Sequence, residues 1–542
     1  MHRARTWCGK EAVMEEKSVQ ASVDKVYKKI PAYVKLAIAA TFIMGILFNL
    51  FIFTNKAVNH DDIMAEFIYN KQLDIVSGRY MWLLIRRITS YYDMPMLFGI
   101  IGMAGLAVSA GLIVYMLKIK DRFFVILLSA IMASFPINAC YYSYLSISPV
   151  YYFAILTAVL GVFFVERFGR WAGIIPAGVC IMMSLGTYQS FLALTIGLAF
   201  TMAFLDLFRN DYDIKKWFRR YIKYVFAAGL GFVLYFICTK ISLAITGEEL
   251  RQYAGTDKMF SLELGEILRS LKTTWNNQKD FYFSTQAISS RGFIWINRVV
   301  LAVIVIMTIV QLVKLIKKRR YGQTAALAVM LITSPFFLNF IYIMMNGKSS
   351  VHMLMKYALI VPYFLVIGLV CATDIRIKLK KLDIGYILSW AAALGCVGII
   401  YYGVLTSNQL YQRMYYNTQA IDSLCTQILA DLNVNEDFAV SKPVYFADFS
   451  TFFDENYVTT ATFTQDLNPY VWMGTDVYLD WYSSNHLIRY MDFNHHIRLI
   501  ASNNKSKEDA VKATEEFKNM PCYPDGGSIK TINGLVTIKF AQ

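Results

Sequence analysis

Apolar blocks long enough to cross a lipid bilayer recur along most of this chain and constrain its fold more than any other feature. A membrane-spanning helix needs roughly 20 mainly apolar residues. We identify eleven such blocks: 34–54, 96–117, 123–140, 149–168, 172–188, 190–208, 222–246, 293–316, 324–344, 354–373 and 385–405. The block 172–188 is short and Pro136 interrupts 123–140, which leaves the count open by one or two. The sequence therefore predicts a mainly α-helical, polytopic membrane protein with about eleven transmembrane helices.

Lysine and arginine alternate regularly between the loops, which indicates the orientation of the helices. Cytoplasmic loops of membrane proteins carry an excess of these residues. With a cytoplasmic N-terminus, 27 of the 53 fall in the inner segments 1–33, 118–122, 166–171, 209–223, 314–320 and 374–381. This bias, together with contact to anionic headgroups, explains the net charge of +15 better than nucleic-acid binding does.

The same topology predicts three parts of the chain. Residues 1–33 form a cytoplasmic tail without the features of a cleavable signal, so the first span is expected to be an uncleaved anchor. Residues 34–405 form the transmembrane domain, with outer loops at 55–95 and 247–292. Residues 406–542 form a small α/β domain on the outer side.

The pattern of the outer C-terminal part supports this interpretation. Apolar residues between 407 and 432 recur at helical spacing, and strand-like runs include PVYFADF and GLVTIKF. The stretch KSKEDAVKATEEFKNM is typical of a charged helix. Cys425 and Cys522 both lie in this domain, but sequence alone leaves open whether they form a disulfide bond.

Adjacent carboxylates follow the first span in the sequence NHDDIMAE. A sugar hydroxyl is a poor nucleophile, so a carboxylate within hydrogen-bond reach must accept its proton during attack on an anomeric carbon. We predict that Asp61 or Asp62 is this general base, with Glu66 as a further residue for sugar or acceptor binding. Alternatively, Asp61 caps a short helix over 61–69 and Asp62 is solvated, since acidic residues are common at helix starts.

Basic residues close to the doublet offer a binding site for a phosphate leaving group. Arg79, in the segment SGRY, or one of Arg86 and Arg87 could stabilise the charge that develops there. Lys348, His352 and Lys356 are spaced by four residues, which predicts one face of a helix at the outer border. The two lysines are candidate phosphate ligands and His352 a sugar-site residue, although Lys356 could instead only extend to the membrane surface.

The segment TYQS forms a polar break between two apolar blocks at the predicted outer side. Polar groups at such breaks often line a cavity, so Tyr188 and Gln189 are candidate sugar-binding residues. A turn residue that satisfies loose carbonyl groups is the alternative. The sequence contains no dinucleotide fingerprint, phosphate-binding loop or zinc spacing, and we predict no cofactor and no metal. A soluble nucleotide-sugar domain is also missing, which favours a lipid-linked donor.

NHDD after the first span, SGRY shortly afterwards and TYQS in a tight hairpin resemble the bacterial serotype-conversion glucosyltransferases (Gtr type II). This family is similar to the GT-C membrane glycosyltransferases. The resemblance covers roughly 40–370, and the final segment MPCYPDGGSIKTINGLVTIKF looks like the tail of Gram-positive members. Tyr80, a further sugar-site candidate, stands where the corresponding motif commonly has Trp, which leaves the sugar in doubt.

The resemblance implies an inverting transfer of a hexose, most simply glucose, from polyprenyl phosphate to an envelope polysaccharide. By position it makes Asp61 and Asp62 the acidic pair, Arg79 the basic residue and Gln189 the polar residue of the YQ motif. The expected location is the bacterial plasma membrane. The alternatives are an envelope polysaccharide polymerase or ligase, and a flippase or transporter of lipid-linked sugars. Few charges within the spans and no visible repeat argue against transport.

Overall fold

A computed structural model gives the structure of the protein. It describes residues 18–57, 59, 62, 71–89, 94–168, 171–208, 213–250, 264–286, 288, 290–338, 340, 343, 351–372, 378–379, 382–436, 438–449 and 485–541. Helices dominate these residues, and the strands are short, so the predicted mainly α class is confirmed.

The N-terminal half is a series of helices joined by short connections. They are α1 Val19–Lys29, α2 Ala32–Phe48, α3 Leu50–Thr54, α4 Lys71–Val76, α5 Met81–Thr89, α6 Pro95–Leu117, α7 Arg122–Ser134, α8 Ile137–Ser143, α9 Ser148–Phe168, α10 Ile174–Thr187 and α11 Leu192–Phe208. Three single 3-10 turns, Leu145–Ile147, Trp171–Gly173 and Gln189–Phe191, lead directly into α9, α10 and α11.

Longer helices make up most of the second half. They are α12 Ile214–Thr246, α13 Leu264–Phe283, α14 Arg291–Lys317, α15 Tyr321–Leu338, α16 Val361–Ala372, α17 Ile384–Val434, α18 Asn485–His495, α19 Lys505–Lys512 and α20 Glu515–Lys518. Two-residue strands β1 (Lys378–Leu379) and β2 (Leu382–Asp383) pair between α16 and α17.

Aspartates at helix starts determine where three of these helices begin. Asp121 accepts a hydrogen bond from the backbone N–H of Phe124 at 3.1 Å, and Asp213 accepts one from Lys215 at 2.8 Å. Asp383 caps the longest helix in the same way. Each cap satisfies an N–H group that has no partner within the helix, and its negative charge interacts favourably with the positive N-terminal end of the helix dipole.

Apolar helices long enough to cross a membrane are numerous in the described part of the chain. Seven qualify as continuous helices by length and composition, and nine if two bent pairs each count as one span. One pair, Arg122–Ser134 with Ile137–Ser143, bends by 41° at the position of Pro136. Two shorter apolar helices, Trp171–Thr187 and Tyr357–Ala372, coincide with other predicted spans. The protein is thus a polytopic membrane protein, and the number eleven stays a prediction.

The helix bundle has two chemically distinct ends. At one end, which we call the basic end, Gln311 donates to the carbonyl of Phe208 at 2.8 Å and Gln323 to that of Leu207 at 2.5 Å. These contacts bring together the end of α11, the end of α14 and the start of α15, next to their Lys- and Arg-rich connections. At the opposite end, the motif end, lie the N-termini of α9 and α11.

The last helix of the bundle extends without a break into the C-terminal part. Ile384–Val434 runs through the predicted boundary at 405–406, so the predicted span and the following amphipathic helix are one element of 51 residues. Its C-terminal third buries Ile421, Leu424 and Ile428 against the strands beyond it. This continuous helix connects the two parts of the chain.

A four-stranded sheet forms beyond the long helix. The strands are β3 Pro443–Ala447, β4 Ile500–Ala501, β5 Ile529–Ile532 and β6 Leu535–Lys539, in the order β4-β3-β6-β5. β3 is parallel to β4 and β6, whereas β5 and β6 form an antiparallel hairpin. Both predicted strand runs are therefore confirmed. Cys425 and Cys522 are free thiols, so the structure contains no disulfide bond between them.

Candidate active site

Asp62 lies at the motif end and binds the start of a transmembrane helix. Its side chain is fully buried. The backbone N–H groups of Leu145 and Ser146 donate to its two carboxylate oxygens at 3.1 and 3.0 Å. These residues open the 3-10 turn that continues into Ser148–Phe168. The carboxylate therefore caps the positive end of this helix, where a negative charge is stabilised.

Asn59 completes the attachment of the loop to the bundle. Its side-chain amide donates to the carbonyl of Ser143, and its Oδ1 accepts from the backbone N–H of Asp62 at 3.0 Å. The alternative in which residue 62 is solvated is wrong, because Asp62 is buried and caps a helix that is distant in sequence. Asp61 and Glu66 lie outside the described residues.

The segment SGRY is a tight turn at the end of α4. Gly78 has φ +70°, a left-handed conformation that favours glycine. Its N–H donates to the carbonyl of Ile75 at 2.8 Å, and the N–H of Arg79 donates to that of Asp74 at 2.9 Å. This pair of bonds is the Schellman arrangement that ends many helices. It directs the Arg79 side chain away from α4.

Gln189 attaches this turn to the hairpin between α10 and α11. Its amide nitrogen donates to the carbonyl of Ser77 at 2.9 Å and contacts the hydroxyl of Tyr235 at 3.0 Å. A Cβ atom added at Gly78 would lie 2.5 Å from that hydroxyl. Gln189 thus joins SGRY to TYQS within the protein, and its predicted binding of a sugar hydroxyl stays a prediction.

The Arg79 guanidinium lies between two aromatic rings. Its Cζ is 4.7 Å from the ring centroid of Tyr188 and 5.1 Å from that of Trp82. Trp82 is held in turn, because its Nε1 donates to the carbonyl of Thr187 at 2.6 Å. Within the described part of the chain, the buried Nε of Arg79 has no hydrogen-bond acceptor. A cation oriented by rings in this way keeps its donors available for an anion.

Tyr80 packs against the same hairpin from the other side of the turn. A Cβ atom added at Gly186 would lie 2.4 Å from Cζ of Tyr80, so the ring occupies the space that this glycine leaves. The ring also stacks on Tyr235 at 6.2 Å between centroids. Tyr80 and Gly186 thereby fix the distance between SGRY and α10.

Asp74 is a buried carboxylate that the sequence did not identify. Arg86 forms an ion pair with it, with Nη1 3.7 Å from Oδ2. Burial raises the pKa of Asp74 to about 6, against the opposing effect of Arg86 and Arg79. Nothing in its sequence context distinguishes it from an exposed loop acid. The backbone carbonyl of Asp74 accepts the N–H of Arg79, and its carboxylate acts electrostatically on the Arg79 side chain. Asp74 therefore helps to hold the SGRY turn in place.

In the described residues, His352 and Lys356 do not lie on the predicted helical face. Residues 351–352 are extended, and Met353–Met355 and Tyr357–Ile360 are 3-10 turns, so a four-residue spacing no longer aligns side chains. Lys348 lies outside the described residues. His352 and Lys356 remain electrostatic neighbours, and burial with the nearby Lys356 lowers the pKa of His352.

A cluster of buried aromatic rings lies among these residues. Tyr188 contacts Tyr151 edge-on at 5.4 Å, Tyr151 stacks on Tyr141 at 4.7 Å, and Tyr141 contacts Tyr357, the residue after Lys356, at 5.9 Å. Arg79 contacts this cluster through Tyr188, and Lys356 precedes its member Tyr357 in the sequence. In the described part of the chain, no three His, Cys, Asp or Glu side chains are grouped to hold a metal ion.

The comparison with protein families identifies one matching family. The model of the family described as glucosyl transferase GtrII matches residues 50–373. The chain belongs to the GtrII glucosyl transferase family. This match spans more than half of the sequence and begins just before the first loop. Searches among curated proteins and among solved structures found no match.

The GtrII region contains every candidate of the motif end. Asp62, Arg79, Gln189 and Lys356 all lie within 50–373, whereas the sheet domain lies beyond it. Membership of the GtrII family indicates glucosyltransferase activity, and the apolar helices indicate a membrane location. The family match thus covers residues 50–373 and ends before the long helix Ile384–Val434 and the sheet.

Proposed function

We propose that the protein transfers a hexose, most simply glucose, from a polyprenyl-phosphate donor to an envelope polysaccharide on the outer face of the bacterial plasma membrane. The observation that carries this proposal is the convergence of Asp62, SGRY and TYQS at one end of the bundle. The Lys- and Arg-rich connections lie at the opposite end. Lipid-linked sugars are available on the outer side, whereas nucleotide sugars are not.

Asp61 is the general base in this proposal, and Asp62 holds it in place. Each oxygen of Asp62 accepts a backbone hydrogen bond, and these bonds favour the ionised carboxylate over the protonated acid. Asp61 is the residue that directly precedes Asp62 in the sequence. A base on the acceptor side, opposite the departing phosphate, gives inversion at the anomeric carbon.

The donor phosphate binds Arg79 in this proposal. The guanidinium is oriented by Tyr188 and Trp82, and its Nε has no acceptor among the described residues. A phosphate oxygen would satisfy this buried donor, and the charge would stabilise the leaving group as the glycosidic bond breaks. Lys348 and Lys356 would supply further positive charge.

Replacement of both aspartates tests the proposal. In cells with Asp61→Asn and Asp62→Asn together, we expect the envelope polysaccharide to lose one hexose branch at a normal level of protein. Asp24→Asn is the control, because Asp24 lies on α1 outside the GtrII region and accepts an exposed hydrogen bond from Gln20. Mass analysis of the polysaccharide is the readout.

The outcomes of this experiment separate the possible activities. Persistence of the branch in the double variant would refute the role of the aspartate pair. Shortened chains on deletion of the gene would indicate a polymerase, and accumulation of an inner-leaflet lipid-linked sugar would indicate a flippase.

A further inference from the structure

A polar cavity lies at the basic end of the bundle, far from the motifs of the active site. It has a volume of about 630 Å³ and lies between the end of α9 and the start of α12. Four cationic side chains and one anionic side chain line it: Lys216, Arg219, Arg220, Lys223 and Glu166. The cavity is therefore cationic, and neither the proposed transfer nor the family match explains it.

One of these cations is engaged in the structure of the bundle. Arg220 binds Glu166 of α9, and its Nη1 is 2.8 Å from Oδ2 of Asp206 of α11. Tyr221 donates to Asp206 at 2.7 Å, and Tyr224 donates to Glu166 at 3.3 Å. This network neutralises Arg220 and fixes α12 against its neighbours. The remaining positive charge of the cavity comes from Lys216, Arg219 and Lys223.

An apolar groove of about 340 Å³ adjoins the cationic cavity. Val165 lines both spaces, and Tyr221 and Tyr224 line the groove with their rings while their hydroxyls bind the polar network. Further into the groove lie Ala199 and Phe337. The lining thus changes from cationic to apolar at Tyr221 and Tyr224. A ligand that fills both spaces has a charged head and a hydrocarbon tail.

We propose that this site binds a lipid with an anionic phosphate headgroup. The phosphate lies between Lys216 and Arg219, and an acyl chain follows the groove past Tyr224. Basic pockets between helices at the cytoplasmic border are known to bind anionic headgroups. Trp171 lies at the mouth, 59% exposed and in contact with Phe226 at 5.3 Å, as expected for a ring at the membrane interface.

Lipid addition to the purified protein tests this site. The full-length protein in a neutral detergent is titrated with phosphatidylglycerol, phosphatidylcholine or inorganic phosphate. Bound lipid is counted by native mass spectrometry, and thermal stability is followed in parallel. We expect phosphatidylglycerol to bind and to stabilise the protein, and the other two additions to have little effect. Equal stabilisation by phosphatidylcholine would show that the site does not recognise an anionic headgroup. Equal stabilisation by inorganic phosphate would show that the acyl chain makes no contribution, so that the site is not a lipid site.

Two variants and a control locate the binding. Lys216→Ala with Arg219→Ala is expected to weaken phosphatidylglycerol binding at least about tenfold, because two charge-assisted contacts are lost. Ala199→Phe fills the groove and is expected to weaken binding of the lipid. Lys317→Ala with Lys318→Ala removes the same charge from the C-terminal end of α14, where neither residue lines the cavity, and binding should persist. An equal loss in the control pair would show nonspecific attraction and would overturn the proposal.

Discussion

Asp61 and Asp62 are neighbours in sequence, but the contacts of Asp62 suit the two residues to different roles in proton transfer. Asp62 is buried and accepts N–H donors from Leu145 and Ser146. A carboxylate with both oxygens engaged is a poor proton acceptor, because those bonds must weaken when it is protonated. In our proposal the doublet therefore combines a helix-capping residue, Asp62, with the general base, Asp61.

Single asparagine variants separate these roles. We expect Asp61→Asn to lower transfer at least about 100-fold, the effect typical of a lost general base, at unchanged thermal stability. Asp62→Asn should lower the free energy of unfolding by about 1–3 kcal/mol, because the NH2 group of the asparagine side chain then faces one of the two N–H donors. Transfer assays and thermal denaturation of the same preparations measure both effects. The reverse pattern would assign the base to Asp62.

Asp74 makes the stability of the protein depend on pH. Its folded-state pKa is about 6 and its ordinary value is 3.8, so the folded protein binds the proton more tightly. The stabilisation is complete below about pH 4 and is lost as the pH rises through about 6. The difference corresponds to at most about 3 kcal/mol. Denaturation curves of Asp74→Asn between pH 4 and 7 should lack this decrease in the free energy of unfolding. A pH profile identical to that of the wild type would contradict the prediction.

At the scale of residues, the sequence predicts the motifs better than their contacts. Order along the chain was sufficient to propose that Arg79 and Gln189 belong to one site. Trp82, Tyr235 and Asp74 were not identified, because their importance arises from positions that only the packing of separate helices creates.

At the scale of elements, two glycines allow the SGRY turn to fit the TYQS hairpin. A side chain at Gly78 would meet Tyr235, in a backbone conformation that L-residues rarely adopt. A side chain at Gly186 would meet the ring of Tyr80. Both positions therefore control how closely the two motifs approach each other.

Alanine at either position should disturb the site without unfolding the bundle. We expect Gly78→Ala and Gly186→Ala each to lower kcat/KM for the donor at least about tenfold, which needs a change of only about 1.4 kcal/mol. Gly229→Ala is the matched control, because Gly229 lies on α12 with no atom within 4 Å of the added Cβ. Wild-type kinetics in both motif variants would show that the close approach has no role in transfer.

Some elements could not be predicted from local patterns. The long helix Ile384–Val434 contains both an apolar and an amphipathic stretch, which suggested two elements although the backbone continues through them. Conversely, residues 351–360 have helical spacing but form 3-10 turns, where Tyr141 donates to the carbonyl of Leu354 at 3.0 Å. Helix Leu264–Phe283 lies within a stretch expected only as a loop. Tertiary contacts decided the last two cases.

At the scale of the whole molecule, the bundle separates two kinds of chemistry. The aromatic cluster that Arg79 contacts lies at the motif end, and the cationic cavity lies at the basic end. The orientation predicted from Lys and Arg places the motif end outside, where a lipid-linked donor is accessible. The sheet domain lies beyond the GtrII match.

The central claim is that this chain uses a lipid-linked sugar. The most direct measurement is glucosyl transfer by the purified protein in liposomes, with polyprenyl-phosphate-glucose as donor and polysaccharide from cells that lack the gene as acceptor. Nuclear magnetic resonance of the product gives its anomeric configuration. We predict transfer with inversion, and its loss in Asp61→Asn. Transfer from a nucleotide sugar but not from the lipid donor, or retention of configuration, would contradict the account.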